Sequence, residues 1–78
     1  MEIVEVTAYF DAQGNVTPKS FRWNGRNYVV ESTGRRWQDD AGQHILVMAG
    51  GERVFELLFA LPEGRWYLQP TSQTGQMA

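Results

Sequence analysis

The stretch "FRWNGRNYVV", residues 21–30, sets three aromatic side chains around an Asn-Gly pair. Asn-Gly between alternating apolar residues is the strongest short-range signal for a two-residue type I′ hairpin, because both central residues must take positive φ. The turn predicts a register: Trp23 opposite Arg26, Phe21 opposite Tyr28 and Lys19 opposite Val30, all on one side of the sheet. Ser20, Arg22, Asn27, Val29 and Glu31 take the other side, which is mostly polar. An antiparallel sheet of this kind buries its apolar face, so the aromatic row is assigned to the core. Arg26 interrupts that row, and two readings follow. Its guanidinium caps the Trp23 indole at the rim of the core, or the Trp-Arg pair is exposed and stacks a base or grips an anionic group.

Working outward, alternating or continuous apolar segments recur between Gly, Pro, Asn and Asp turns, as in an antiparallel β-domain. Strands are predicted over residues 2–10, 19–23, 26–38, 44–49, 53–60 and 65–69, with at most a short helical turn around 39–42. A bulge at Gly34 would return Trp37 to the Tyr28 side and set Arg35 and Arg36 at the bend. The expected fold is all-β: a six-stranded antiparallel meander curled into a small SH3-like or split barrel, closed by pairing of the first and last strands. Its expected core holds Val4, Val6, Phe21, Trp23, Tyr28, Val30, Trp37, Val47, Phe55 and Trp66.

A chain of 78 residues makes one domain, read as 1–69, with a polar, flexible tail over 70–78. There are no cysteines to cross-link it and a single histidine, so stability must come from packing or from a partner chain. Three Trp, three Tyr and four Phe supply the material for one compact core.

Seven Lys and Arg against nine Asp and Glu give a net charge of −2, and the acidic balance disfavours bulk attraction to nucleic acid or acidic membranes. The beginning "MEIVEVTAYF" lacks a basic leader and a continuous apolar run, and no segment approaches membrane-spanning length. A cytoplasmic location is the expectation.

Candidate chemistry is sparse. His44 is the only neutral-pH base, with no Ser, Cys or Asp beside it in a catalytic spacing. Asp39-Asp40 and "DAQGN" at 11–15 read as turns, because neither has the spaced oxygen ligands of a cation site. "AGG" before Glu52 is too short for a phosphate loop. No catalytic, cofactor or metal residues are assigned, and an enzyme is not expected. The strands joined through Gly50-Gly51 are apolar on both faces, with Ile45, Val47, Val54 and Leu58 on one and Leu46, Met48, Phe55, Leu57 and Phe59 on the other. A strand apolar on both faces is covered twice; the second cover is expected to be a partner protein or a second copy, touching Met48, Leu57 and Phe59. A covering loop is the internal alternative.

The pattern P-x-x-F-x-W-x-G-R-x-Y-x-V from Pro18 to Val30, with Trp37 and "GRWYL" from Gly64, resembles a family of small bacterial all-β domains of unknown function. In some bacteria that family is encoded beside Y-family DNA polymerases of mutagenic repair. The resemblance covers about two thirds of the chain and implies a link to DNA repair, without catalytic residues. Two functional classes therefore stand: a non-catalytic protein-interaction module, and a single-stranded nucleic-acid-binding module using Arg22, Trp23, Arg26, Arg35 and Arg36.

Overall fold

The computed structural model describes residues 2–70; the expected tail lies almost wholly outside them. Six antiparallel strands follow in order: β1 (Glu2–Phe10), β2 (Val16–Trp23), β3 (Arg26–Asp39), β4 (Gly42–Ala49), β5 (Arg53–Ala60) and β6 (Arg65–Pro70). They close into a small barrel in sequence order, β1 returning to β6. No helix is present among the described residues.

The Asn24-Gly25 hairpin forms as its sequence requires, with φ of 52° and 74° at the two turn residues. Phe21 faces Tyr28 and Trp23 faces Arg26. Phe21 stacks on Tyr28 at 5.2 Å, and Phe55 meets both edge-on from β5. The core consists of Val4, Val16, Phe21, Tyr28, Ile45, Val47, Ala49, Phe55, Leu57, Trp66 and Leu68, with Val6, Trp23, Val30 and Phe59 half-buried against it.

Two strands serve both halves of the barrel. β1 pairs with β6 through Glu2, Ile3 and Val4, then with β2 from Glu5 to Phe10. β3 pairs with β2 through Arg26–Val29, then with β4 from Val30 to Asp39. Each partner change lets the sheet turn a corner, which closes a barrel from so few strands.

Three expectations are corrected. First, β3 carries two register shifts against β4, one between Val30 and Ser32 and one between Thr33 and Arg36. A single bulge at Gly34 would have returned Trp37 to the core side. Two bulges cancel, so Trp37 faces outward opposite His44.

Second, the β4–β5 loop has three residues, Gly50, Gly51 and Glu52, all at positive φ. A two-residue loop would have set Val47 opposite Val54. The extra residue sets Val47 opposite Phe55 and Ile45 opposite Leu57, which turns Phe55, Leu57 and Phe59 inward and leaves Leu46, Met48, Val54 and Leu58 on the outer side.

Third, residues 39–42 form a tight hairpin turn, with Asp39 opposite Gly42, in place of a helical turn. Asp39 Oδ1 accepts the Ala41 amide at 2.9 Å, an Asx-type closure.

Candidate functional site

The expected interface residues do not share a surface. Leu57 is wholly buried in the core, Phe59 is half-buried inside against Trp66 at 4.9 Å, and only Met48 lies on the outer face. The residues that accompany Met48 there are Leu46 and Val54. Together with Ser32, Thr33, Gly34 and the edge of Val47 they line a concavity of about 190 Å³. Its origin is local. The first β3 bulge turns Ser32 outward beside Met48, and Gly34 has no side chain to cover Leu46; a Cβ there would stand 3.9 Å from the Leu46 Cβ. The lining is apolar on β4 and β5 and small on β3.

The arginines of the nucleic-acid reading are dispersed. Arg22 lies opposite Glu5 and Asn27, and Arg26 sits at the tip of the first hairpin. Arg35 and Arg36 lie nine and ten residues beyond Arg26 along β3, about 30 Å of extended strand. Arg35 rests over the Trp37 ring at 5.2 Å. Arg36 reaches across the gap between β2 and β3, where Nη1 donates to the Val16 carbonyl at 2.6 Å. The residue lying over Trp23 at 5.7 Å is Arg53, which also lies 5.0 Å over Phe55. The sequence offers Arg26 for that lid as one of its two readings.

Arg36 ties together two strand segments that do not pair directly. Replacing it by Met keeps the aliphatic stem but leaves the Val16 carbonyl without its charged donor, and a loss of about 1–2 kcal/mol is expected in urea unfolding. An unchanged midpoint would show the bond to be inconsequential.

A polar cluster that the sequence reading did not assemble occupies the outer face at the opposite end of β4. His44 Nδ1 donates to Glu56 Oε2 at 2.7 Å and Nε2 to Asp39 Oδ1 at 2.9 Å. Ionised carboxylates only accept, so both contacts are made in full when both ring nitrogens carry protons, the imidazolium form. Burial of the ring opposes that charge, but the hydrogen bonds to Asp39 and Glu56 and their negative charges outweigh it, so the His44 pKa is raised. The ring stacks on Trp37 at 4.9 Å, only 5° from parallel. Asp39 is held below the usual carboxylate range, chiefly by its bond to His44.

The register explains the cluster. Trp37, His44, Leu58, Tyr67 and Ile3 stand directly opposite one another across five strands on the outer face. Leu58 lies between the His44 and Tyr67 rings and is buried despite facing outward. Tyr67 donates its hydroxyl proton to Glu63 at 2.8 Å.

No family model, curated protein or solved structure matches this chain. Among the described residues no group of three or more His, Cys, Asp or Glu side chains is placed to hold a metal ion, and no helix is long and apolar enough to cross a membrane.

Proposed function

We propose that this domain is a non-catalytic protein-interaction module that receives an apolar side chain of its partner in the concavity formed by Leu46, Met48 and Val54. The observation carrying this reading is the concavity itself. A small barrel has already filled its interior with one aromatic and aliphatic cluster, yet it keeps Leu, Met and Val side chains around an outer depression whose β3 wall is Ser, Thr and Gly. An apolar depression bordered by small polar residues suits a single anchoring side chain, the arrangement found at the centre of binding hot spots. The non-catalytic part is supported by His44, whose two nitrogens are both committed to carboxylates. While the ring is protonated, a base so committed has no free lone pair for a substrate.

The resemblance to domains encoded beside Y-family polymerases directs the search for a partner toward bacterial mutagenic repair proteins in the cytoplasm; it alone supports that pathway. The nucleic-acid reading gains no equivalent support, since Arg36 is engaged by the Val16 carbonyl and Arg35 by the Trp37 ring.

The test is selection of displayed peptides on the wild type and on Met48→Glu, a substitution at an outward-facing position. Clones that bind the wild type and lose at least about tenfold in affinity on Met48→Glu are expected, because a carboxylate desolvated in an apolar depression costs more than 1.4 kcal/mol. Binding of every clone equally to both proteins would end this reading of the concavity.

A further inference from the structure

We propose that the open edge of β1 from Val6 to Phe10 is a second binding site, which accepts an extended peptide strand with apolar residues at alternate positions and a basic residue beside Asp11. The inference rests on the reading of the domain as a protein-binding module, but not on the concavity, which lies on β3 to β5.

The edge arises from the partner change in β1. Its pairing with β6 stops at Val4, opposite Trp66, while its pairing with β2 continues to Phe10. From Val6 onward one side of β1 thus faces no other strand among the described residues. Backbone N–H and C=O groups on that side are a template for strand addition. Proteins usually disable such edges with charges, proline or bulges.

The neighbouring gap, between β2 and β3, has all three devices. It carries Pro18 and Lys19 on β2, two register shifts and Arg35 on β3, and the Arg36 tie to Val16. The β1 edge has none of them. Val6, Thr7, Ala8, Tyr9 and Phe10 contain no charge, proline or glycine. Where the β1–β2 register shifts between Thr7 and Ala8, the partners step from Ser20 to Pro18, so the extra residue, Lys19, is on β2.

Side chains along the edge favour an apolar strand. Tyr9 is 60% and Phe10 53% exposed. Phe10 stands edge-on to Phe59 at 5.7 Å, and Phe59 packs on Trp66, so inward residues of an added strand would continue this aromatic row. Charge sets the ends. Glu5 is opposed by Arg22, whereas Asp11 at the far end bonds to Gln13, Gly14 and Asn15 of its own turn. Among the described residues no Lys, Arg or His forms an ion pair with it, and a Lys or Arg of the ligand would supply one.

A second copy of this chain fits the edge less well. Two-fold pairing about Ala8 would set Glu5 opposite Asp11 of the other copy, and like charges directly opposite repel.

The experiment uses the full chain and the clones from the displayed library that survive on Met48→Glu. These are synthesised and titrated while backbone amides are followed by NMR. The expected result is that they share alternating apolar residues with a terminal Lys or Arg, and that the amides of Val6 to Phe10 shift and gain protection from exchange. Asp11→Asn, which preserves the turn's acceptor oxygen, should weaken the basic-ended peptides about two- to fivefold at low salt and leave neutral-ended versions unchanged. The proposal is overturned if no clones survive on Met48→Glu, if the shifts map elsewhere, if Asp11→Asn has no selective effect, or if the β1 amides shift with protein concentration alone, which would assign the edge to a second copy.

Discussion

Gly42→Ala is expected to destabilise the barrel by about 3 kcal/mol or more, against a total of roughly 4–12 kcal/mol for a domain of this length. Gly42 has φ of +144°, a conformation essentially reserved for glycine. A Cβ at this position would overlap the Phe59 carbonyl oxygen and stand 3.0 Å from the Ala60 Cα. Both obstacles are backbone of β5, so no side-chain rotation relieves them. Either the pairing of Gly42 with Ala60 is lost or the Asp39–Gly42 turn must rebuild. Gly25→Ala is the control: its φ is also positive, at +74°, but nothing lies within 4 Å of the added carbon. That variant should show only the backbone cost of about 1–2 kcal/mol. Equal urea midpoints for the two variants would mean that the close approach of β4 and β5 at Gly42 is absent in solution.

Gly42 also shows where sequence reasoning stops. Asn24-Gly25 is readable because the turn type, its residues and its register are all local, and the Phe21–Tyr28 pair follows directly. The number of strands and the closure of first on last are legible for a similar reason, since turns punctuate the alternation at short intervals. The "DDAG" segment offers the same kind of signal, yet the need for glycine there comes from β5, a strand that begins eleven residues later. Register beyond a loop depends on loop length by single residues. Reading Gly50-Gly51 as the whole loop puts Leu57 and Phe59 outside; including Glu52, at φ of +73°, puts them inside. Glu52 gives no local warning, because non-glycine residues rarely adopt positive φ. The β3 bulge between Val30 and Ser32 has no glycine of its own and is equally hidden, so a bulge at Gly34 alone places Trp37 in the core.

The cluster at His44 combines both difficulties. Treating Asp40-Ala41 as a two-residue hairpin turn would have brought Trp37 opposite His44, so half of the site was within reach of local rules. Glu56 enters only through the β4–β5 register, and a lone histidine at the start of a strand gives no hint of it. The candidate surface shifted for the same reason, from Met48 with Leu57 and Phe59 to Met48 with Leu46 and Val54.

His44→Leu should cost about 2–4 kcal/mol near pH 6 and abolish the pH dependence of stability through neutrality. The magnitude comes from losing the charged hydrogen bond to Glu56, whose side chain is 15% exposed, together with the stacked imidazolium on Trp37. Leucine fills similar space, so little of the loss should come from a cavity. The pH profile distinguishes the electrostatic account from one of packing. His44 has a raised pKa in the folded state, so folding takes up protons as pH passes through the unfolded value of about 6.5. Its contribution is complete below that value and disappears as pH rises through the folded pKa. Asp39 has a lowered pKa, so its contribution is complete above 3.8 and declines as pH falls through the folded value. Wild-type stability should therefore be flat between about pH 4.5 and 6 as far as this cluster is concerned, then fall as pH rises further. In His44→Leu that alkaline decline should vanish, and the two proteins should converge in Tm at high pH, where neutral imidazole leaves one ring nitrogen lone pair facing a carboxylate. Parallel curves, with the same offset at pH 6 and pH 9, would assign the loss to packing and leave the imidazolium clamp without an energetic role. The cluster closes the outer row from β3 to β6, so its loss should also speed amide exchange at Trp37 and Leu58 before any change at Phe21, whose surroundings are set by the first hairpin.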